Sequence, residues 1–291
     1  MTSTTAARAE SIDPARLLIT GAHGQLGRAL LNLVPGARAL ARADLDITDA
    51  AAVRAIVNPG DVLINCAAYT AVDRAETDAE AAFAVNATGP RVLAQVCADS
   101  GARLLHVSTD YVFPGTAAHP YETDDPTDPA TVYGRSKLAG EQAVLELAPQ
   151  ATVVRTAWVY TGTGSDFVAT MLRLERERDT LTVVNDQLGS PTYTRDLASG
   201  LLELAGLPDA PRILHATNAG QATWFDLARA VFAAIGADPQ RVRPCGTEDF
   251  PRPAPRPAYS VLSGAAWQAA GLTPLRSWKL ALQDALAAIS D

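Results

Sequence analysis

Lysine is scarce in this chain, with only Lys137 and Lys279 among 291 residues. Its 24 basic side chains are outnumbered by 32 acidic ones, and a net charge of -8 repels a polyanion at long range, so no nucleic-acid partner is expected. The three cysteines, Cys66, Cys97 and Cys245, are an odd number without C-x-x-C spacing. That excludes a disulfide framework or a zinc ribbon and fits a reduced, cytoplasmic compartment. The four histidines, His23, His106, His119 and His215, include no i, i+4 pair, so no transition-metal site is expected. No apolar run approaches the roughly 18 residues that cross a bilayer, and no membrane partner is expected. Residues 1–14 are small and polar with Arg8 as their only base, which lacks the apolar centre of a signal peptide and reads as a flexible tail.

What remains is material for a large core: 48% of the residues are hydrophobic and 19% charged, which rules out a disordered or fibrous chain. At roughly 150 residues per domain the length suits about two units. The apolar run Leu17 to Thr20 stops at Gly21 and gives way to the helix-like stretch Arg28 to Val34. Strand-like Arg38 to Ala41, Asp61 to Asn65 and Arg103 to Ser108 then alternate with helix-like Ala50 to Val57 and Ala79 to Asp99. Tyr133 to Ala148 and Thr152 to Val159 continue the series. Alternating strands and helices with near-continuous apolar strands predict an α/β fold, a doubly wound parallel Rossmann-type sheet. Beyond residue 165 the rhythm loosens into a helix at Phe167 to Arg178, a strand at Thr182 to Val184 and a turn at Leu188 to Pro191. Helical Arg195 to Ala205 and strand-like Arg212 to Ala216 suggest a return to the first sheet. The expected division is a dinucleotide-binding unit, 15–165 with 190–217, and a smaller C-terminal α/β substrate unit, 166–189 with 218–291. Pro251 to Pro257 alternates proline with other residues, cannot continue a helix and predicts an extended loop beside a cleft; Trp278 to Ile289 reads as a closing amphipathic helix.

Gly21, Gly24 and Gly27 fall where the first strand turns into the first helix. Backbone amides and a helix N-terminus there can face a pyrophosphate, although G-x-x-G-x-x-G differs from the commoner G-x-G-x-x-G spacing. The end of the second strand selects between cofactors, an acid holding a ribose hydroxyl or an arginine a 2′-phosphate. Arg42 stands near that position with Asp44 and Asp46 close behind, so the reading favours NADPH with NADH possible.

A sharper signal is Tyr133-Gly134-Arg135-Ser136-Lys137, which puts a phenol and an ammonium on one helix face. With seven tyrosines and two lysines in 291 residues, a Tyr-x-x-x-Lys pair arises by chance about once in twenty such chains. A phenol titrates near pH 10 on its own, and a neighbouring ammonium in a desolvated cleft can lower that by about two or three units, giving a general acid. Thr109, at the carboxyl end of the fourth strand, is placed to donate to a substrate carbonyl.

With the glycine loop, these residues resemble the extended short-chain dehydrogenase/reductase family, which carries NAD(P) and acts on sugar nucleotides. The matching stretches are Asn65 to Glu76, Ser108 to Gly115, Val132 to Glu141 and Arg155 to Tyr160, with Asn185-Asp186-Gln187 and Arg256-Pro257 in the second unit. The resemblance implies an oxidoreductase that reduces the 4-keto group of a dTDP-4-keto-6-deoxysugar, dTDP-4-dehydro-L-rhamnose or a close relative, in deoxysugar donor biosynthesis. It assigns proton donation to Tyr133, a pKa-lowering and ribose-binding role to Lys137, and the carbonyl contact to Thr109. By the same matching Gly24, Gln25 and Leu26 meet the pyrophosphate, Asp46 and Ile47 the adenine side, and Ala67, Ala68, Tyr69, Thr70 and Val107 the middle of the cofactor. Asp110 and Trp158 face the sugar, and Arg256 is the candidate for the substrate diphosphate.

The chain departs from the family pattern where some members join a dimer through Mg²⁺ held by carboxylates: those positions are Ala29 and Arg195 here. No metal is carried over, and monomer and homodimer both stay open. Tyr69 replaces a frequent histidine. Two other activities fit the same resemblance, a sugar-nucleotide 4-epimerase with a retained NAD and a non-catalytic nucleotide-binding subunit like the regulatory partner of methionine adenosyltransferase.

Overall fold

The computed structural model describes residues 12–290. Strands β1 (Leu17–Thr20), β2 (Arg38–Leu40), β3 (Val62–Asn65), β4 (Arg103–Thr109) and β5 (Thr152–Thr156) alternate with helices α1 (Gln25–Leu33), α2 (Ala50–Ile56), α3 (Val72–Ala75), α4 (Ala79–Phe83), α5 (Gly89–Ser100) and α6 (Val132–Leu147). The chain continues through β6 (Val159–Tyr160), α7 (Phe167–Glu177), β7 (Leu181–Val184), β8 (Leu188–Gly189), β9 (Thr192–Tyr193), α8 (Thr194–Ala205) and β10 (Ile213–His215). It ends with β11 (Ala222–Thr223), α9 (Trp224–Ala234), β12 (Val242–Cys245), α10 (Ala265–Ala269) and α11 (Trp278–Ser290).

Six strands form one sheet in the order β10-β5-β4-β3-β1-β2, and every pairing in it is parallel. Alternate residues of each strand feed opposite layers. Leu17, Ile19, Leu105 and Val154 pack with Leu30, Leu197 and Leu201 of α1 and α8, while Leu18, Leu63, Leu104 and Val153 pack with Val53, Leu93 and Val144 of α2, α5 and α6. Helices on both faces are what make such strands apolar throughout. A further core lies among α7, α9 and α11, where Val168, Met171, Leu181, Val231, Phe232, Trp278 and Leu282 are buried.

The expected fold class is the one observed, with β10 rejoining the main sheet beside β5. Several elements differ from their expected extents: α1 begins at Gln25, before the expected Arg28, and the stretch expected as a turn at Leu188 to Pro191 opens with β8. The helix read as Ala79 to Asp99 carries a π-helical turn at Ala84–Thr88 between α4 and α5. The strand read as Thr152 to Val159 stops at Thr156, and β6 pairs instead with β9. Of the expected tail, residues 1–11 lie outside the described residues; Ile12 packs against the core and Asp13 caps the 3₁₀ turn Pro14–Arg16.

Candidate active site

Because β1 sits between β2 and β3, the loops leaving β1 and β3 part company above the sheet, and an open α/β sheet binds its ligand at such a switch point. The glycine loop fills this place. Gly21 has φ of +65°, and a Cβ there would stand 2.6 Å from the Ala67 nitrogen and 2.7 Å from the Cys66 carbonyl carbon. A Cβ at Gly27 would come within 2.4 Å of the Gly21 oxygen, so α1 can lie against the loop only without a side chain. Gly24 is the N-cap of α1 and supplies no side-chain acceptor, which leaves the first amides of the helix free to take an anion.

Around this cradle Asn65 organises the exit of β3. Its Oδ1 accepts from Thr20 Oγ1 (2.6 Å) and from the Ala67 amide (3.1 Å), and its Nδ2 meets His106 Nδ1 at 2.9 Å. Ala67, Ala68 and Tyr69 are half-buried and Thr70 is exposed. The Tyr69 hydroxyl donates to Asp78 at 3.0 Å. Near the end of β2, Asp44 accepts from the Ala41 amide and Asp46 from the amide and hydroxyl of Thr48, bonds that hold the Asp46 carboxyl below its usual range. Arg42 is exposed and within electrostatic reach of Asp46. Ile47 turns its side chain inward, where it fills the space above Gly89 of α5.

The candidate reacting groups stand at the carboxyl end of β4 and the start of α6. Thr131 caps α6 by accepting from the Gly134 amide (2.9 Å), and Glu76 accepts from the Val132 amide (2.8 Å), so the helix that carries Tyr133 and Lys137 begins in a fixed place. Tyr133 is buried, its ring edge-on to Tyr111 at 5.5 Å. Lys137 is 2% exposed, and its Nζ donates to the Val107 carbonyl at 2.7 Å. The Thr109 hydroxyl donates to Asp110 Oδ1 at 2.9 Å and accepts from the Tyr111 amide at 3.2 Å.

Protonation states follow burial. The Tyr133 phenol is pushed up to about 12 by desolvation, with Asp110 adding to the shift and the Thr109 hydroxyl opposing it. Burial draws the Lys137 ammonium down to about 8, against the opposing charge of Glu141. The expected lowering of the phenol by Lys137 is therefore not what this structure holds: loss of water around the phenol outweighs any nearby cation. Burial also raises Asp110 to about 6, partly countered by the hydrogen bond it accepts from Thr109.

Trp158 has φ of +47°, the only left-handed backbone outside glycine among the described residues. Its indole is stacked on Trp224 at 3.5 Å and 5°, and a Cβ at Gly189 would strike it at 2.3 Å, so both ring faces are covered and the edge is what remains. Arg256 lies on the proline-rich loop and donates to Asp73 of α3 at 2.9 Å and to the Ala254 carbonyl at 2.8 Å. Arg252 reaches the same Asp73 carboxylate at 3.9 Å.

Several residues in this region escaped the sequence reading. Asn86, fully buried in the π-helical turn, bonds both the amide (2.8 Å) and the carbonyl (3.0 Å) of Tyr69 and the Ser136 hydroxyl (3.0 Å). It thus ties the loop after β3 to α6. Glu76, which holds the start of α6, Tyr111 against the Tyr133 ring and Trp224 on Trp158 were not singled out either. An asparagine inside an apolar helical pattern was the available signal for Asn86; the others gave none that sets them apart.

A parallel sheet with a glycine turn at its switch point and a buried phenol and ammonium at the start of the helix before β5 has the layout of the short-chain dehydrogenases and reductases. Within that class the chain belongs to the family described as RmlD substrate binding domain, which it matches over residues 15–290. It is 57% identical over 280 residues to the dTDP-4-dehydrorhamnose reductase of Mycolicibacterium smegmatis, covering 94% of this chain and 86% of that one. It is 49% identical to the dTDP-4-keto-6-deoxy-D-glucose reductase of Streptomyces niveus, covering 93% and 96%. The solved dTDP-4-dehydrorhamnose reductase of Bacillus anthracis in complex with NADP superposes with a TM-score of 0.88 at 36% identity, over 94% of this chain and 98% of that one.

Proposed function

We propose that this chain is an NAD(P)H-dependent oxidoreductase that reduces the 4-keto group of a dTDP-4-keto-6-deoxysugar, with dTDP-4-dehydro-L-rhamnose as first candidate and NADPH as the preferred cofactor. The observation that carries the reading is the buried Thr109, Tyr133 and Lys137 set beside the β1/β3 cradle, in a chain so close to reductases of dTDP-4-keto sugars. A nicotinamide fits the cradle on chemical grounds: free α1 amides and a side-chain-free Gly24 suit a pyrophosphate. When bound, the reduced nicotinamide supplies the hydride.

The chain's own residues do the rest. Tyr133, neutral at physiological pH because its phenol titrates near 12, holds the proton that the developing alkoxide needs. An alkoxide, whose conjugate acid titrates near that of bulk water at about 16, takes a proton from such a phenol downhill. Thr109 turns its hydroxyl from Asp110 to the carbonyl oxygen by rotating about Cα–Cβ, and Asp110 stands beside it on the sugar side. Lys137, fixed by the Val107 carbonyl, presents a buried positive charge to the ribose and to Tyr133. Gly21, Gly24, Gln25, Leu26 and Gly27 hold the pyrophosphate; Asp46, Ile47, Ala67, Ala68, Tyr69 and Thr70 line the rest of the cofactor, and Arg42 takes the 2′-phosphate. Trp158 offers its ring edge to the sugar, and Arg256 exchanges Asp73 for the diphosphate.

The same reading divides the chain into a cofactor unit, 15–165 with 190–217, and a substrate unit, 166–189 with 218–291, and places the protein in the cytoplasm, in keeping with three unpaired thiols. No metal is part of it. Ala29 and Arg195 line one open cleft of about 600 Å³ together with Arg28 and His23, without a carboxylate on its walls.

The test is absorbance at the reduced-nicotinamide band with NADPH or NADH and a panel of dTDP-4-keto sugars. Stoichiometric NADPH oxidation supports reduction; interconversion without net oxidation supports an epimerase. No turnover of any member, with a stoichiometric synthetase recovered by pull-down, supports the regulatory subunit.

A further inference from the structure

Lys137 shares the protein interior with two other charged side chains. One turn further along α6, Glu141 is 1% exposed, and Arg155 of β5 is 3% exposed. Arg155 donates from Nε to both carboxylate oxygens, at 3.0 and 3.2 Å, and from Nη2 to Oε2 at 2.8 Å. Its remaining bond goes to the Thr123 carbonyl at 3.3 Å, and its guanidinium lies 4.8 Å from the centre of the Phe113 ring. The carboxylate is thus committed to Arg155, while the Lys137 ammonium is bonded to Val107. Spacing of i, i+4 nevertheless stacks Glu141 and Lys137 on one helix face, where they act on each other through a dry interior.

We propose that Glu141, fixed in place and in charge by its salt bridge to Arg155, is a positioning residue whose buried negative charge keeps Lys137 protonated for its work beside Tyr133. This rests on the role given to Lys137 above. The other groups that act on Lys137 cannot do the same. Cys66, on the loop after β3, has its thiol pushed up to about 12 by burial and is uncharged at neutral pH. His106 of β4 is driven well below the ordinary imidazole range by desolvation and by Lys137 itself, and is also neutral. Tyr133 keeps its proton. Among the described groups around Lys137, Glu141 alone brings a full negative charge, and Arg155 alone brings a positive one that is already paired. A neighbouring charge of this kind moves a buried group by about one to three pH units. Lys137 already sits near 8, so loss of Glu141 would take the midpoint to about neutrality or below.

The chain's two lysines make a direct test possible. In full-length protein labelled with ¹³C at lysine Cε, two resonances are expected, and Lys279→Arg identifies the exposed one. Titration of wild type and Glu141→Gln, each with and without NADPH, should lower the Lys137 midpoint by about one unit or more in the variant. The alkaline limb of kcat/KM should move by the same amount, with turnover recovering toward wild type at acid pH. Glu141→Gln leaves Arg155 buried without its counter-charge and can misfold. Glu141→Met with Arg155→Met removes both charges as an apolar pair and should shift Lys137 in the same direction. A folded variant of either kind whose Lys137 resonance titrates at the wild-type midpoint would overturn the proposal. If the wild type reduces no 4-keto sugar, the functional reading fails, while the resonance titration still decides this one.

Discussion

The two halves of the site are built from opposite materials. The proposed cofactor side is made of backbone: Gly21, Gly24 and Gly27 matter for the side chains they do not have, and the α1 amides for their lack of a side-chain cap. The reacting side is made of side chains packed out of water, with Tyr133, Thr109, Asp110 and Lys137 all buried. A backbone site tolerates little added volume but has no charge states to tune. A side-chain site accepts isosteric change sterically, yet its chemistry depends on what desolvation does to each proton.

Tyr133→Phe keeps the ring against Tyr111 and removes only the proton, so kcat should fall about 10²-fold or more while NADPH affinity, read by fluorescence titration, stays unchanged. Near-normal turnover would sink the reacting-side half of the comparison. With Lys137 in the proposed role as an ammonium drawn down to about 8, kcat/KM should decline above about pH 8, approaching tenfold per unit, in buffers of constant ionic strength. A flat profile to pH 10 would remove Lys137 from that role. On the cofactor side, Gly27→Val drives a side chain into the Gly21 carbonyl. It should cost about 1–3 kcal/mol, read as a lower Tm with NADPH binding weakened about tenfold. Binding retained at full strength would mean that the loop is not the cradle. The smallest effect is expected at exposed Arg42: Arg42→Ala should reduce the NADPH over NADH preference several-fold, less at high salt. An unchanged ratio would leave Asp46 as the selector.

The same contrast governs what could be read without coordinates. The glycines are visible as letters, and so are the strand before them and the helix after. The spacing of Tyr133 and Lys137 is equally plain. Which way their protons move is not, because the shift at Tyr133 comes from the number of waters excluded around one ring, a property of Tyr111, Thr109 and the loop after β3 brought together by the fold. Arg256 could be named as a basic residue in a proline-rich loop, but its salt bridge to Asp73, 183 residues away, belongs to tertiary structure alone. Ile47 shows the mirror image, since chain position alone does not choose a side: the bare surface of Gly89 takes its side chain inward, and its backbone is what it can offer to the adenine side. Strand ends were least legible at Thr156, where nothing local separates continued pairing in the main sheet from the short parallel pairing of β6 with β9.

The corner at Trp158 has a bearing on how such an enzyme could be re-engineered. One residue in an unfavourable left-handed conformation, at a cost of about 1–3 kcal/mol, turns the polypeptide out of the main sheet and lays its indole on Trp224. Trp158→Gly would relax the bend and delete the ring at once. A protein stabilised by that change yet poorer in sugar selectivity would reveal that the kink is maintained for recognition and not for architecture.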